Sequence, residues 1–275
     1  MTYRQFRIER NLEDYPSSLY NNNLCILRDK ILFSAYFGEV LGKQYVIETK
    51  GKIEANGDFY NFETKTKEDF YKFLSKRTKD TFIKKLNGEC GDGVYLIKSG
   101  KSIPDLLEQI KGSEYIVQDR VEQHEDVNAI NPSCINTIRI ITIIGRKSKM
   151  PNVFSQYMRV GCNSINDNRA TGGVGVGITD DGYMKKYGVG HHKVETSHSI
   201  TKKIYENTEI PFWNEVKDLV TKAHKFISEI PTIGWDVAIT PNGPILLEGN
   251  DNWEISGAQD SNGGLKDKWY ELHNK

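Results

Sequence analysis

Residues 234–250 read GWDVAITPNGPILLEGN. Two apolar runs flank a Pro-Asn-Gly-Pro turn signal, the pattern of a β-hairpin. Asp236, Glu248 and Asn250 interrupt it. Side chains alternate along a strand, so Trp235, Val237 and Ile239 share one face and Asp236, Ala238 and Thr240 the other. A connection of even length would turn Asp236 away from Glu248 and Asn250. An odd one, such as Asn242-Gly243-Pro244, pairs Asp236 with Asn250 and puts Glu248 diagonally alongside. Only the odd register leaves a wholly apolar face (Trp235, Val237, Ile239, Ile245, Leu247). Register follows the hydrophobic pattern, so an odd connection is expected. Two crowded carboxylates repel unless positive charge lies between them. Magnesium takes one or two carboxylates together with substrate phosphates. The polar face therefore suggests a magnesium–nucleotide site, weighed against a plain solvated outer face.

The chain has 275 residues, enough for one multi-lobed domain or two modest ones. Lys+Arg and Asp+Glu both number 37, so the basic excess of a sequence-independent nucleic-acid binder is missing. A mean hydropathy of -0.56 is that of a soluble globular chain. The most apolar run, TIRIITIIG, is too short to span a bilayer and carries Arg139. The polar start, MTYRQFRIERNLEDYP, does not resemble a secretory signal. Cys25, Cys90, Cys134 and Cys162 lack zinc or redox spacing and read as free thiols of a cytoplasmic protein.

Along the chain, RDKILFSAYFGEVLG has a helical rhythm at Ile31, Leu32, Ala35, Tyr36 and Val40. QYVIET and KIEANGDFYNF are short strands about an Asn56-Gly57 turn. TKEDFYKFLSKR is an amphipathic helix capped by Thr66, and SIPDLLEQIK a helix with Pro104 in its first turn. IPFWNEVKDLVTKAHKFISEI is the clearest helix, with Val216, Leu219, Val220, Ala223 and Ile227 on one side.

FIKKLNGECGDGV puts a lysine at a strand end before a loop bearing Gly88, Gly91 and Gly93. Such glycines let backbone N–H groups approach phosphate, and lysine neutralises it. No Gly-Lys-Ser/Thr follows, so it is not a P-loop, and a glycine-rich β-turn explains it equally. Arg139, in an Ile-rich strand, is costly unless paired. It is either half of a structural ion pair or a guanidinium aimed at a phosphoryl group or a substrate carboxylate.

Taken in order, Lys84 with its loop, YIVQDRV, the Arg–Arg–Asn–Gly-Gly series and DVAIT…LLEGN resemble the ATP-grasp superfamily. NTIRI, DNRATGGVGVGITDDG and IPFWNEV are most similar to its sugar-transfer associated branch, over about Lys30 to Asn252. The resemblance implies an α+β fold in which two α+β lobes clasp ATP between antiparallel sheets. The expected division is an N-terminal lead-in and small α/β segment over 1–75, a small lobe with the phosphate-covering loop over 76–121 and a large lobe with the magnesium and substrate site over 122–275. It also implies ATP and two magnesium ions, the metal held by Asp236, Glu248 and Asn250. Lys84 (or Lys85), Lys30 and Gly91 would touch the phosphates. Gln118, Asp119 and Val121 would line the adenine, and Glu125 would take the ribose hydroxyls. Arg139 and Arg159 would face the phosphoryl group and the substrate carboxylate, with Asn168 and His198 in the acceptor pocket. The N-terminus is short for the leading domain of many relatives, which implies a substrate-binding surface that is either reduced or supplied by a partner.

His191, His192 and His198 make an incomplete zinc set. GGVGVG lacks the glycine spacing and following helix of a dinucleotide site. The implied activity is ATP-dependent carboxylate–amine (or carboxylate–thiol) ligation through an acyl phosphate, joining an amino acid or amine to a sugar acid for cell-surface polysaccharide such as capsule. The alternatives are phosphotransfer without ligation, or a nucleotide-binding protein that has lost catalysis. Glu89 and Asp92, acids in the phosphate loop, favour the last; the Asp236/Glu248/Asn250 set opposes it.

Overall fold

The computed structural model describes residues 24–274 apart from 87, 89–92, 102, 104, 149, 163–166 and 168. The expected contacts of Gly91 and Asn168, the acids Glu89 and Asp92, Pro104 and Cys90 lie outside the described residues.

Strands β1 (Thr49–Ile53), β2 (Phe59–Asn61), β3 (Thr66–Glu68), β4 (Thr81–Lys85), β5 (Val94–Ile97) and β6 (Tyr115–Asp119) form a six-stranded sheet in the order β3-β2-β1-β6-β4-β5. Its pairs are antiparallel. Because β1 pairs with β6, the strands of residues 49–68 and those of residues 81–119 share one sheet. Ile53, Ile83 and Val117 point to one side, where they pack with Phe70, Phe73 and Leu74 of helix α3 (Phe70–Ser75) and Leu106 of α4 (Leu106–Gln109). Helix α3 starts later than the sequence suggests. Asp69 accepts from Lys72 N (2.6 Å) and is the cap, whereas Thr66 opens β3.

Strands β7 (Ile138–Ile144), β8 (Pro151–Val160), β9 (Val174–Ile178), β10 (Met184–Val189), β11 (Val194–Glu195), β12 (Thr232–Thr240) and β13 (Gly243–Asn250) make a seven-stranded antiparallel sheet, ordered β11-β10-β9-β8-β7-β12-β13. One face is covered by α1 (Leu24–Arg28), α2 (Lys30–Leu41), α5 (Glu125–Ile130) and α6 (Trp213–Lys225), with Trp235, Val237, Ile239 and Leu246 at the contact. Part of the other face is covered by α7 (Ile255–Asn262) and α8 (Lys266–His273), which bury Ile141, Ile143 and Phe154. The rest of that face carries Arg139 and Asp236.

Helix α6 buries Val216, Leu219, Val220 and Ala223, with Ile227 just beyond, as its periodicity requires. Helix α2 buries Phe33, Phe37 and Leu41, a different stripe from the one expected. Its sequence is apolar round most of its circumference, so rhythm alone does not choose the face.

The hairpin departs from expectation in one instructive way. Its turn is Pro241-Asn242, closed by the pair Thr240↔Gly243, a connection of even length. Carried through, that register would face Asp236 away from Glu248. A β-bulge intervenes: Val237 pairs with Leu246 but Asp236 pairs with Glu248, leaving Leu247 as the extra residue. The two carboxylates therefore sit directly opposite each other, and Asn250 pairs with Gly234 rather than with Asp236. The buried partner of the apolar face is Leu246, while Ile245 and Leu247 are only half-buried.

Candidate functional site

Strand β12 is paired along both edges, and residues on both of its faces are buried. Asp236 is 3 % exposed. A carboxylate so placed needs cations, and the neighbouring strand supplies one. Arg139, directly across on β7, grips Asp236 with two bonds, Nε to Oδ1 and Nη2 to Oδ2 (3.0 Å). Arg159 on β8 adds Nη1 to Asp236 Oδ2 at 2.8 Å. Burial alone would raise the Asp236 pKa, but the two guanidiniums outweigh it and hold the acid far below the usual range.

Glu248 has the opposite fate. Burial, and then the Asp236 charge beside it, push its pKa up. Asn250 follows two residues later, with Nδ2 3.4 Å from Glu248 Oε1. Across the cleft, Lys84 on β4 lies over the Phe82 ring at 5.6 Å and feels the charge of Glu248. Burial lowers its pKa and Glu248 works against that shift. Lys84, rather than Lys85, is thus the lysine turned to the acid pair. Lys30, the first residue of α2, donates to Leu86 O and Gly88 O (both 3.1 Å), at the mouth of the glycine loop.

The segment joining the sheets runs from Gln118 to Glu125. Gln118 is buried and donates to Thr49 Oγ1 (3.1 Å). The Asp119 side chain is held by Arg77, so it is the main chain there that remains for recognition. Val121 and Glu125 border a 760 Å³ cleft, with Asp80, Arg120, His124 and Pro241 among its walls. That cleft does not include Asp236, Glu248 or Lys84, so chemistry rather than cavity size marks the site. His198 is 1 % exposed, with Nε2 3.1 Å from Gly161 O and Nδ1 accepting from Thr201 N (3.2 Å). Both ring nitrogens are occupied, which fixes a loop and leaves none for an acceptor substrate.

Sequence reasoning missed Asp167. It bonds Arg159 Nη2 (2.8 Å) and accepts from Thr137 N (2.9 Å) and Oγ1 (2.5 Å), completing a chain Thr137–Asp167–Arg159–Asp236–Arg139. Its only sequence signal is adjacency to Asn168 in NDNRATGG. Tyr157, which stands opposite Arg139 on β8, was also unforeseen, as tyrosine in a strand is ordinarily packing. Among the described residues no group of three or more His, Cys, Asp or Glu is disposed to hold a metal alone. Two carboxylates and an amide instead fit a hard cation whose remaining ligands are phosphate oxygens. Because Arg139 and Arg159 already compensate Asp236, Glu248 is the acid with most to gain from it.

A profile described as "Sugar-transfer associated ATP-grasp" matches residues 11–270. Among solved structures, the ADP complex of an N5-carboxyaminoimidazole ribonucleotide synthetase is similar at 10% identity and TM-score 0.54, over 87% of this chain and 48% of that one. The Staphylococcus aureus N5-carboxyaminoimidazole synthetase complexed with ADP is similar at 14% identity and TM-score 0.52, over 84% and 46%. The chain thus spans about half the length of these structures. No curated protein matches the sequence. Among the described residues no helix is long and apolar enough to cross a membrane.

Proposed function

The chain belongs to the sugar-transfer associated ATP-grasp family, and from that premise we propose that it is an ATP-dependent carboxylate–amine ligase working through an acyl phosphate. The observation that carries the reading is the facing pair Asp236–Glu248, flanked by Asn250 and by Lys84 of the other lobe. The acid substrate would be a sugar acid and the nucleophile an amino acid or other amine, in the making of a cell-surface polysaccharide. The family description supports the sugar part of this reading.

Two steps balance the reaction. A carboxylate oxygen of the acid bonds to the terminal phosphorus of ATP as the bridging P–O bond breaks and ADP leaves. The amine nitrogen then bonds to the acyl carbon, the C–O bond to phosphate breaks, and the proton shed by nitrogen passes to solvent. The protein supplies no nucleophile; it positions the reactants and stabilises charge. Lys84 and Lys30 counter the phosphates. Arg139 and Arg159 fix Asp236 and place positive charge beside the transferring group. Glu248, Asn250 and the outward lone pairs of Asp236 would hold magnesium, which when bound draws negative charge off the phosphate oxygens. The main chain at Asp119 and Val121 would meet the adenine, and Glu125, exposed at the start of α5, the ribose.

The test is an ADP-release screen across amino acids and sugar acids with mass spectrometry of the product. An amide accompanied by ADP and phosphate is expected. A stable phosphorylated acid with no amide would replace ligation by phosphotransfer.

A further inference from the structure

Strand β6 turns Tyr115 and Val117 into the core of the small lobe. Side chains alternate, so Ile116 and Gln118 point the other way, to the side of Lys84. Ile116 pairs with Lys84 and Gln118 with Phe82, nearer the segment that joins the sheets. A nucleotide with its phosphates at Lys84 and its base at the main chain of Asp119 and Val121 therefore has that base beside Gln118.

Gln118 is 3 % exposed and ends a chain of hydrogen bonds that starts on helix α2. Ser34 Oγ donates to Ile31 O (3.1 Å) and lies 3.3 Å from Thr49 Oγ1. The Gln118 amide meets the same Thr49 oxygen at 3.1 Å. A side-chain amide can be turned over, so its orientation follows from the network around it. This network has one direction. Ile31 O only accepts, so the single Ser34 proton goes to it. Ser34 then accepts from Thr49, and Thr49, its proton spent, accepts from Gln118. In the reverse direction Ser34 would donate to Thr49 and Thr49 to Gln118, and the bond to Ile31 O would be lost. That loss is one hydrogen bond, a bias of roughly tenfold. The Gln118 atom at Thr49 is thus Nε2. Its Oε1 bonds no described residue, yet it is not one of the side-chain atoms sealed in the protein without a partner. A buried amide is thereby fixed with its acceptor left open on the face that looks to the other lobe.

We infer that Ser34 and Thr49 are positioning residues for nucleobase selectivity. They hold the Gln118 amide with Oε1 outward, as an acceptor for the 6-amino group of adenine and against the 6-oxo group of hypoxanthine or guanine. At this edge adenine offers a donor and the 6-oxo purines an acceptor. Two facing acceptors repel, and a site built to pair one polar group rejects a ligand that leaves it unpaired. The inference rests on the nucleotide reading of the site. It goes further in giving the choice of base to two hydroxyls that act through a third residue.

The experiment is a calorimetric titration of ADP and of inosine diphosphate, each with magnesium, into the full chain as wild type, Ser34→Ala and Thr49→Val. The wild type binds ADP more tightly than inosine diphosphate. In Ser34→Ala both amide orientations make the same number of bonds, so the form with nitrogen outward rises from about a tenth to about a half of the molecules. ADP then weakens about twofold and inosine diphosphate tightens about fivefold. Thr49→Val, which keeps the shape and removes the hydroxyl, moves both affinities the same way. Circular dichroism reports folding, and if one variant is not folded the other decides. A role in packing alone would weaken both nucleotides alike. That outcome in a folded variant, an unchanged ratio of the two affinities, or a wild type that binds both equally overturns the inference. A wild type that binds no magnesium-ADP overturns the nucleotide reading, and the inference with it.

Discussion

Asp236 and Glu248 face each other across one pair of strands, yet their surroundings drive them apart. Asp236 is clamped by two guanidiniums, so removing its charge leaves buried Arg139 without the carboxylate it grips and Arg159 with Asp167 alone. Asp236→Asn should lower the folding free energy by about 3 kcal/mol or more, read from urea denaturation. Glu248 is different, because burial and the Asp236 charge already oppose its ionisation. Glu248→Gln resembles the protonated acid, so the metal-free protein should be as stable as the wild type, or more so, at neutral pH. An equal loss of stability in both variants would show that the acids are not divided in this way. The same division explains why neither Arg139 nor Arg159 faces an open site. Arginine in an apolar strand signals a partner, and the partner here is Asp236.

At the scale of elements, much was legible and the exceptions have causes. The hairpin and the helix α6 follow from period and punctuation. The register did not. The turn is two residues long, and a bulge at Leu247 restores the facing of Asp236 and Glu248. Leu246 and Leu247 are chemically alike, so nothing in the sequence says which is the extra residue. Asp167 was hidden because its role depends on a fold-back from β8 that no local pattern encodes. Beneath the hairpin runs a buried polar chain. Trp235 Nε1 donates to Thr142 Oγ1 (2.8 Å), which lies 2.7 Å from His224 Nδ1, and His224 Nε2 is 2.7 Å from Ile230 O. With Thr142 donating, His224 is neutral, and burial pushes its pKa down to about 4. A free histidine titrates near 6.5, so the unfolded chain binds the extra proton between these values. Stability should therefore fall as pH drops from about 6.5 to about 4, by roughly 3 kcal/mol from this group. Denaturation across that range should show a step that is absent in His224→Gln.

Across the whole molecule, α2 packs into the core of the large lobe through Phe33, Phe37 and Leu41, while Lys30 at its start holds Leu86 O and Gly88 O beside the small sheet. One helix thereby ties the two lobes at the phosphate end. Lys30→Met should leave the circular dichroism spectrum unchanged and weaken magnesium-ADP binding about tenfold, as measured by calorimetry. The facing sheets make sense of the opening hairpin: its apolar side is the core of one lobe, and its polar side is set against Lys84 of the other. The most direct test of that claim is a calorimetric titration of ADP, with and without magnesium, into the wild type and Glu248→Gln. The wild type should bind ADP much more tightly with magnesium, and the variant should lose that gain while staying folded. A magnesium-dependent gain that survives in Glu248→Gln, or none in the wild type, would contradict the account.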